Sequence, residues 1–427
     1  MILSNEDKNI ILNLYFVNLK GNYKIKIIES NIKVKMFIKN KSIYDLNIDF
    51  DKFSNIIKIY NSIKLINIIF DKNISTNLVN ILIIRLHNIF YTYNLLYLKK
   101  IKFYNILKES KYLMNELSIY KNIIMNPNKT PDTYLKYIKS RIPNNYKLKY
   151  FNTEKTKLFP LTRAVGIGSK YNSYFVHIKP KKINNKNKSL YLIGKAITFD
   201  TGGINLKTGD FSDMKIDMTG SALLISVLNL LSFNKIDKNY NIHIIMSIAE
   251  NMIGNTATKP GTVIKSMNNI NIEIINSDAE GRLCLVDGIE YVNKFLIKNT
   301  NALILDIATL TGNKDQITST ISSLTTANDK GSIYINKLFS IGETIGEYID
   351  YLKIRPEYLK SLKSQVADIK NISQTVRADC IMAGTFLSYF INNNIPWIHI
   401  DLGGIVYINS IINSYGINLL YEFIKAL

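Results

Sequence analysis

Short runs of apolar, mostly β-branched residues recur along the second half of the chain, and helical stretches separate them. We predict strands at Tyr174–Ile178, Leu190–Ile193, Ile197–Phe199, Ile242–Ile248, Ala302–Ile307 and Trp397–Asp401. Several of these runs are continuously apolar, which is typical of strands buried on both faces of a parallel sheet. We predict helices at Ser212–Leu231 and Cys380–Ile391. Strands that alternate with helices favour an α/β sandwich with a mixed, largely parallel central sheet.

The first quarter of the chain has a different pattern. Short apolar runs at Ile10–Phe16, Ile56–Ile59 and Ile81–Leu86 are separated by Asn, Lys and Asp. A chain of 427 residues is long enough for two domains. We therefore predict a small N-terminal α/β domain over residues 1–105, a connecting helix over 106–124 and a larger second domain over 125–427.

Polar residues stand where several predicted strands end. They are Asp200, Glu250 with Asn251, Asp306 with Thr309, and Asp401. In open α/β sheets the ligand crevice lies outside the carboxyl ends of the strands. The sequence therefore predicts a site at this edge of the sheet.

Two Gly-rich runs, Gly194–Ala222 and Asn276–Gly288, concentrate charge among apolar residues. They hold Lys195, Asp200, Lys207, Asp217, Asp278, Glu280 and Arg282. Burying an unpaired carboxylate costs several kcal/mol or neutralises the group. Four carboxylates crowded in this way indicate divalent cations between them, and oxygen-rich ligation suits manganese, magnesium or zinc.

The local sequence predicts how these acids converge. Asp200 ends a strand and precedes Thr-Gly-Gly, a turn that lets the backbone approach a ligand closely. Asp217 follows Asp213 by four residues, which predicts that both lie on one face of a helix. Asp278 and Glu280 alternate within a tight NSDAEG turn, so we expect that their side chains can point the same way in an extended segment.

Other catalytic site types are excluded by their missing motifs. The chain has two cysteines, which excludes a disulfide framework and a cysteine-based structural zinc site. It contains neither HExxH nor GxSxG, so a histidine-bound zinc protease and a serine nucleophile elbow are both excluded. The four histidines lie far apart in the sequence and away from the acidic runs.

The two acid-rich runs resemble the two signatures of the leucyl aminopeptidase family, the two-metal cytosol aminopeptidases. NSDAEGRL, which begins at Asn276, is the most specific of these matches. The resemblance covers residues 125–427. Further segments that fit the family in order and spacing are AVGIGSK, AENMIGNTATKPGTVIKSMNN, DIATLTG, ADIKNIS and PWIHIDLGG.

This resemblance implies five metal ligands for two divalent ions per subunit, zinc or manganese, with cobalt or magnesium as further options. The tighter ion would be bound by Lys195, Asp200, Asp217 and Glu280. The more exchangeable ion would be bound by Asp200, Asp278 and Glu280.

The resemblance also implies the remaining site residues and the activity. Lys207 and Arg282 would be catalytic without binding metal, and Arg282 would hold a bicarbonate ion that shuttles a proton. The substrate's first side chain would lie against Met214, Asn276, Thr309, Leu310 and Gly312. The implied enzyme is a homohexamer that releases leucine and other bulky apolar N-terminal residues from short peptides.

Charge leaves a second hypothesis open. The net charge of +21 is compatible with a DNA-binding protein that keeps the peptidase scaffold. However, Lys, Asn, Ile and Tyr are abundant throughout, whereas a nucleic-acid footprint should cluster on one face. An inactive scaffold is disfavoured because every expected metal ligand is present.

Charged residues at the N-terminus and the lack of long apolar runs predict a cytoplasmic protein without a membrane span.

Overall fold

A computed structural model describes residues 10–19, 22–29, 33–36, 63–70, 76–92, 101–104, 106–312, 314–408 and 411–427. The chain divides into two compact units. Met1–Ser118 with Glu343–Gly346 form the first unit, and Ile119–Gly342 with Glu347–Leu427 form the second. The apolar run Ile56–Ile59 lies outside the described residues.

The first unit contains a five-stranded sheet with the order β3-β2-β1-β4-β5. Its strands are β1 (Ile10–Leu19), β2 (Asn22–Glu29), β3 (Lys33–Met36), β4 (Ile63–Phe70) and β5 (Ile101–Tyr104). Strand β1 runs parallel to β4 and antiparallel to β2. The helix Thr76–Thr92 buries Ile83 and Leu86 completely, so the run predicted from Ile81 to Leu86 is helical.

The second unit is built around an eight-stranded sheet with the order β14-β13-β16-β12-β8-β9-β7-β6. Its strands are β6 (Tyr146–Asn152), β7 (Tyr174–Pro180), β8 (Lys188–Asp200), β9 (Tyr240–Asn251), β12 (Ala302–Ala308), β13 (Ser323–Ala327), β14 (Ile349–Tyr351) and β16 (Trp397–Asp401). The four central strands β16, β12, β8 and β9 are mutually parallel, and antiparallel pairs lie towards both ends. The predicted mixed, largely parallel α/β sheet is confirmed.

Smaller elements complete this unit. Two further sheets contain β10 (Thr262–Lys265), β11 (Asn271–Ile274) and β15 (Ile369–Lys370), and β17 (Tyr407–Ile408) with β18 (Ile411–Ile412). The described α-helices of the chain that are not yet named are Lys108–Met125, Pro131–Arg141, Pro160–Gly166, Thr219–Phe233, Glu280–Tyr291, Asp315–Thr318, Ile335–Ile345, Pro356–Lys360, Asp379–Ser388 and Ile417–Ala426. The helices Lys108–Met125 and Ile335–Ile345 each have residues assigned to both units.

The helices Thr219–Phe233 and Glu280–Tyr291 cover opposite faces of the central sheet. On β8, Gly194 faces the first of these helices, where a Cβ would lie only 2.7 Å from helix backbone. The preceding residue, Ile193, packs against Gly288 of the second helix. Successive strand residues point to opposite faces of a sheet. Glycine therefore lets each helix approach β8 closely.

The segment Ser212–Phe233 is long and apolar enough for a membrane span, but 83% of its most apolar window is buried inside the protein. This degree of burial is typical of a helix in the core of a folded protein. Among the described residues, no other helix meets the same criteria.

Two predicted elements are corrected by the structure. The predicted strands 190–193 and 197–199 form the single strand β8, because β9 pairs with it continuously from Lys188 to Ile197. The predicted helix 212–231 is interrupted: a 3-10 helix covers Ser212–Ile216, and the α-helix starts at Thr219. The carbonyl of Asp217 between them accepts a hydrogen bond from Ile197 N instead of a helical N–H.

Asp306 does not face the predicted site. It lies within β12, is fully buried, and accepts hydrogen bonds from Trp397 Nε1 at 2.6 Å and from His399 Nδ1 of β16. Burial lowers the pKa of His399, but the Asp306 carboxylate outweighs this and raises it. The pair therefore links two central strands.

We expect Asp306→Ala to lower the free energy of unfolding by about 3–5 kcal/mol, because it leaves a buried imidazolium unpaired. The raised pKa of His399 means that the ion pair contributes fully at low pH and is lost as the pH rises through that pKa. The cost should thus shrink in urea unfolding as the pH rises above about 6.5, the ordinary pKa of histidine. The control, Asp237→Ala, removes a buried carboxylate bonded to Asn145 and should show no such trend.

Candidate metal centre

Three buried carboxylates converge at the carboxyl edge of β8. Asp200 is the last residue of β8, Asp217 lies just before the helix that starts at Thr219, and Glu280 opens the helix on the other face. One oxygen from each lies within 4.8 Å of the others. Asp217 Oδ2 is buried and accepts no hydrogen bond from the described residues. A buried carboxylate oxygen without a donor is suited to a cation.

Lys195 is the cation that pairs with Asp217 and Glu280. Its Nζ lies 2.8 Å from Asp217 Oδ1 and 2.8 Å from Glu280 Oε1, and it donates to Thr309 O at 2.9 Å. Burial lowers the pKa of Lys195, but the surrounding carboxylates outweigh this effect and raise it. Lysine binds a metal only as the neutral amine, so metal binding through Lys195 would require the loss of this proton.

Lys207 joins the remaining acid to this cluster. Its Nζ lies 2.8 Å from Asp200 Oδ2 and contacts Asp278 Oδ1. Burial, and then the nearby charge of Asp200, raise the pKa of Asp278 to about 6. Because Lys207 is 21% exposed and lines the cavity, its ammonium can contact a ligand as well as the acids.

The turn after β8 depends on its glycines. Gly202 and Gly203 adopt φ values of +89° and +65°, a region that favours glycine. The N–H of Gly202 donates to Asp200 Oδ1 at 2.9 Å. Asn251, at the end of β9, donates its Nδ2 to the same oxygen at 2.7 Å. Asp200 is therefore oriented from two sides.

We expect Asn251→Ala to lower metal affinity or activity by about 10–100-fold, which is the usual cost of losing a group that orients a ligand. Titration calorimetry with manganese or zinc would measure this. The matched control is Asn229→Ala, a buried asparagine bonded to Ile225 O within one helix. Equal metal affinity in wild type and Asn251→Ala would contradict the orienting role.

A cavity of about 640 Å³ opens beside the acids, and all twelve predicted site residues line it. They are Lys195, Asp200, Lys207, Met214, Asp217, Asn276, Asp278, Glu280, Arg282, Thr309, Leu310 and Gly312. Their roles stay predictions. Sequence reasoning assigned no site role to four apolar residues and one acid that also line the cavity: Ile372, Val376, Met382, Val406 and Asp379.

Two predicted arrangements of the acids are wrong. Asp213 and Asp217 do not share a helix face, because the 3-10 helix ends at Ile216; Asp213 instead pairs with Lys215. The predicted turn holds Asp278, but the extended segment is absent, because Glu280 is already the first residue of a helix. Both acids nevertheless line the same cavity.

The other strand-end residues shape the site indirectly or lie away from it. Thr309 Oγ1 donates to Asp217 Oδ1 at 2.8 Å. Asp401 Oδ1 accepts from Leu310 N at 3.0 Å, which holds the loop after β12. Glu250 instead accepts from Ser169 Oγ.

The family model for the catalytic domain of the cytosol aminopeptidase family matches residues 118–418. The chain belongs to this family. A curated relative from Clostridium tetani, named "Probable cytosol aminopeptidase", is 33% identical over 318 residues, which is 73% of this chain and 64% of the relative. A relative of the same name from Vesicomyosocius okutanii is 38% identical over 53% of this chain and 46% of its own length.

The fold also matches a solved structure. The bottromycin maturation enzyme BotP in complex with Mn superposes with a TM-score of 0.75, over 87% of this chain and 86% of that one, at 21% identity. At this identity the match shows the fold alone. The aligned regions span about half to two-thirds of the length of the first curated relatives.

Proposed function

We propose that this family member is a metal-dependent aminopeptidase that releases leucine and other bulky apolar N-terminal residues from short peptides by two-metal hydrolysis. The observation that carries this proposal is the convergence of Asp200, Asp217 and Glu280 in a cavity that also has apolar walls. Carboxylates supply a site for cations, whereas the apolar wall supplies a site for a side chain.

The donor set fits divalent cations. Three buried carboxylates, a fourth on Asp278 and the free oxygen of Asp217 give the oxygen-rich surroundings that manganese, zinc, cobalt or magnesium accept. Asp200, Asp217 and Glu280 with Lys195 would hold one ion, and Asp278 would join Asp200 and Glu280 at the other. Such ions polarise a carbonyl oxygen and lower the pKa of water.

The protein groups would position the peptide and stabilise charge. The carboxylates would hold the ions that bind the substrate's free α-amine, which would restrict cleavage to the first residue. The Lys207 ammonium, held by Asp200 and Asp278, would stabilise the negative charge that develops on the carbonyl oxygen. Met214 and Leu310 line the cavity beside these groups and would contact an apolar first side chain.

The surroundings of Arg282 do not fit a free bicarbonate ion. The side chain is 2% exposed, Nη1 donates to Asn371 O at 2.9 Å, and Nη2 donates to Asp379 Oδ1 at 2.9 Å. A free anion that bound Nη2 from the cavity would have to displace the Asp379 carboxylate. No step of the proposed reaction is therefore assigned to bicarbonate.

The cytoplasmic location and the homohexamer are part of the same proposal. They rest on the family's name and on the resemblance. Light scattering after size-exclusion chromatography would measure the assembly, and an active monomer would contradict the hexamer.

The activity is tested with leucine amide after chelation and reloading with manganese, zinc or cobalt. We expect hydrolysis that depends on the added metal and that fails with N-acetyl-leucine amide, because the acetyl group blocks the α-amine. A panel of aminoacyl-amides would then rank leucine, methionine and phenylalanine. Turnover of none of these amides with any metal would contradict the proposal. Salt-sensitive binding to duplex DNA would instead favour the hypothesis of a DNA-binding protein that keeps the peptidase scaffold.

A further inference from the structure

Arg282 is the largest buried cation in the wall of the cavity. It lies in the first turn of the helix Glu280–Tyr291, two residues after the proposed ligand Glu280. Its terminal nitrogens donate to Asn371 O and Asp379 Oδ1, whereas its buried Nε donates to no described residue. A buried guanidinium needs an anionic partner, because an unpaired charge in the interior costs several kcal/mol. Within the described residues, its salt-bridge partner is Asp379.

Asn371 fixes the other side of this guanidinium. It is completely buried, and its Nδ2 donates to Asn276 O at 2.7 Å. Its Oδ1 accepts from Ile275 N at 2.8 Å. The Asn371 carbonyl, which accepts the hydrogen bond from Arg282, is thereby tied to the loop that carries Asp278. The position of the guanidinium is thus set before any small ion could bind.

Asp379 belongs to the cavity and also to a helix start. It is the first residue of the ten-residue helix Asp379–Ser388, where a carboxylate is favoured by the helix dipole. Its side chain is 37% exposed and lines the same cavity as Lys207 and Asp278. It is therefore a carboxylate that faces the reaction cavity, is held by arginine, and lies outside the proposed metal ligands.

We infer that Asp379 is the built-in counter-anion of Arg282 and takes the place that the resemblance gives to bicarbonate. The proposed reaction then needs no bicarbonate or similar free anion. This inference rests on the proposed function for its catalytic consequence, but the anion site itself exists without turnover. Removing the carboxylate should leave a cation and its N–H donors accessible from the cavity, which would bind a small planar anion such as bicarbonate or formate.

The test compares wild type, Asp379→Ala and Asp379→Asn as metal-loaded proteins. In titration calorimetry, we expect bicarbonate and formate to bind Asp379→Ala but not wild type. Asp379→Asn should also fail to bind them, because the amide fills the space. The matched control is Glu154→Ala, which removes the carboxylate partner of Arg163 at the surface and should behave as wild type.

The catalytic readout uses leucine amide in buffer freed of carbon dioxide. Wild type should have the same kcat with and without millimolar bicarbonate. Asp379→Ala should lose about 10–100-fold in kcat and regain most of it with bicarbonate or formate but not with chloride. Metal content should be equal in all variants.

Three results would overturn the inference: bicarbonate binding to wild type as tight as to Asp379→Ala, stimulation of wild type by bicarbonate, or an Asp379→Ala kcat that is unchanged without added anion. If the alanine variant does not fold, Asp379→Asn keeps the side-chain shape and should lose kcat without recovery by bicarbonate, so an unchanged kcat in Asp379→Asn would also overturn the inference. A failure of the proposed aminopeptidase would abolish turnover in every variant and leave the calorimetric comparison intact. The two failures are therefore distinguishable.

Discussion

Glu280→Gln should remove bound metal and nearly all activity. Glu280 is 2% exposed, lies 2.8 Å from Lys195 Nζ, and converges with Asp200 and Asp217. Losing a residue that only orients a ligand costs about 10–100-fold, so the loss of a shared ligand should cost more than about 100-fold in kcat/KM. The amide keeps the shape of the side chain but cannot supply the negative charge that two dications require.

The control for this variant is Glu290→Gln on the same helix. Glu290 is fully buried and accepts from Ser266 Oγ at 2.7 Å, away from the acidic cluster. The Glu290→Gln variant should keep its metal content, measured by elemental analysis, and most of its kcat/KM. If Glu280→Gln retained two ions and activity within about tenfold of wild type, the assignment of Glu280 as a shared ligand would be wrong.

Lys207→Ala should lower kcat by about 100–1,000-fold, which is the usual cost of removing one group that stabilises an oxyanion. KM should change little, because an interaction made only in the transition state lowers kcat and kcat/KM equally. Bound metal should remain, since the convergence of Asp200, Asp217 and Glu280 does not include Lys207.

Steady-state kinetics on leucine amide together with metal analysis would decide this. Lys294→Ala is the control, because that lysine donates to Met267 O and is not part of the cavity lining. Loss of metal from Lys207→Ala would show that its contacts with Asp200 and Asp278 hold the ligands in place. Its main role would then be structural.

Much of the site could be predicted because the informative residues lie close together in the chain. The spacing within NSDAEGRL and within Gly194–Ala222 is local, and the matching residues line one cavity. The helix break at Asp217 could not be predicted, because it depends on a hydrogen bond from Ile197 in a different element. The wrong prediction for Asp306 has a similar cause, because the hydrogen-bond partners of that acid come from β16, about ninety residues later.

The sequence alone determined the α/β class and the residues that concentrate charge, since continuous apolar runs and Gly-rich acidic turns are local patterns. Only the tertiary structure decided which charges meet. Arg282 and Asp379 are 97 residues apart in sequence, yet the packing of two helix starts places them 2.9 Å apart. Such pairs depend on the registry of β8, β9 and β12 and on how closely the helices approach them. No local pattern carries that information.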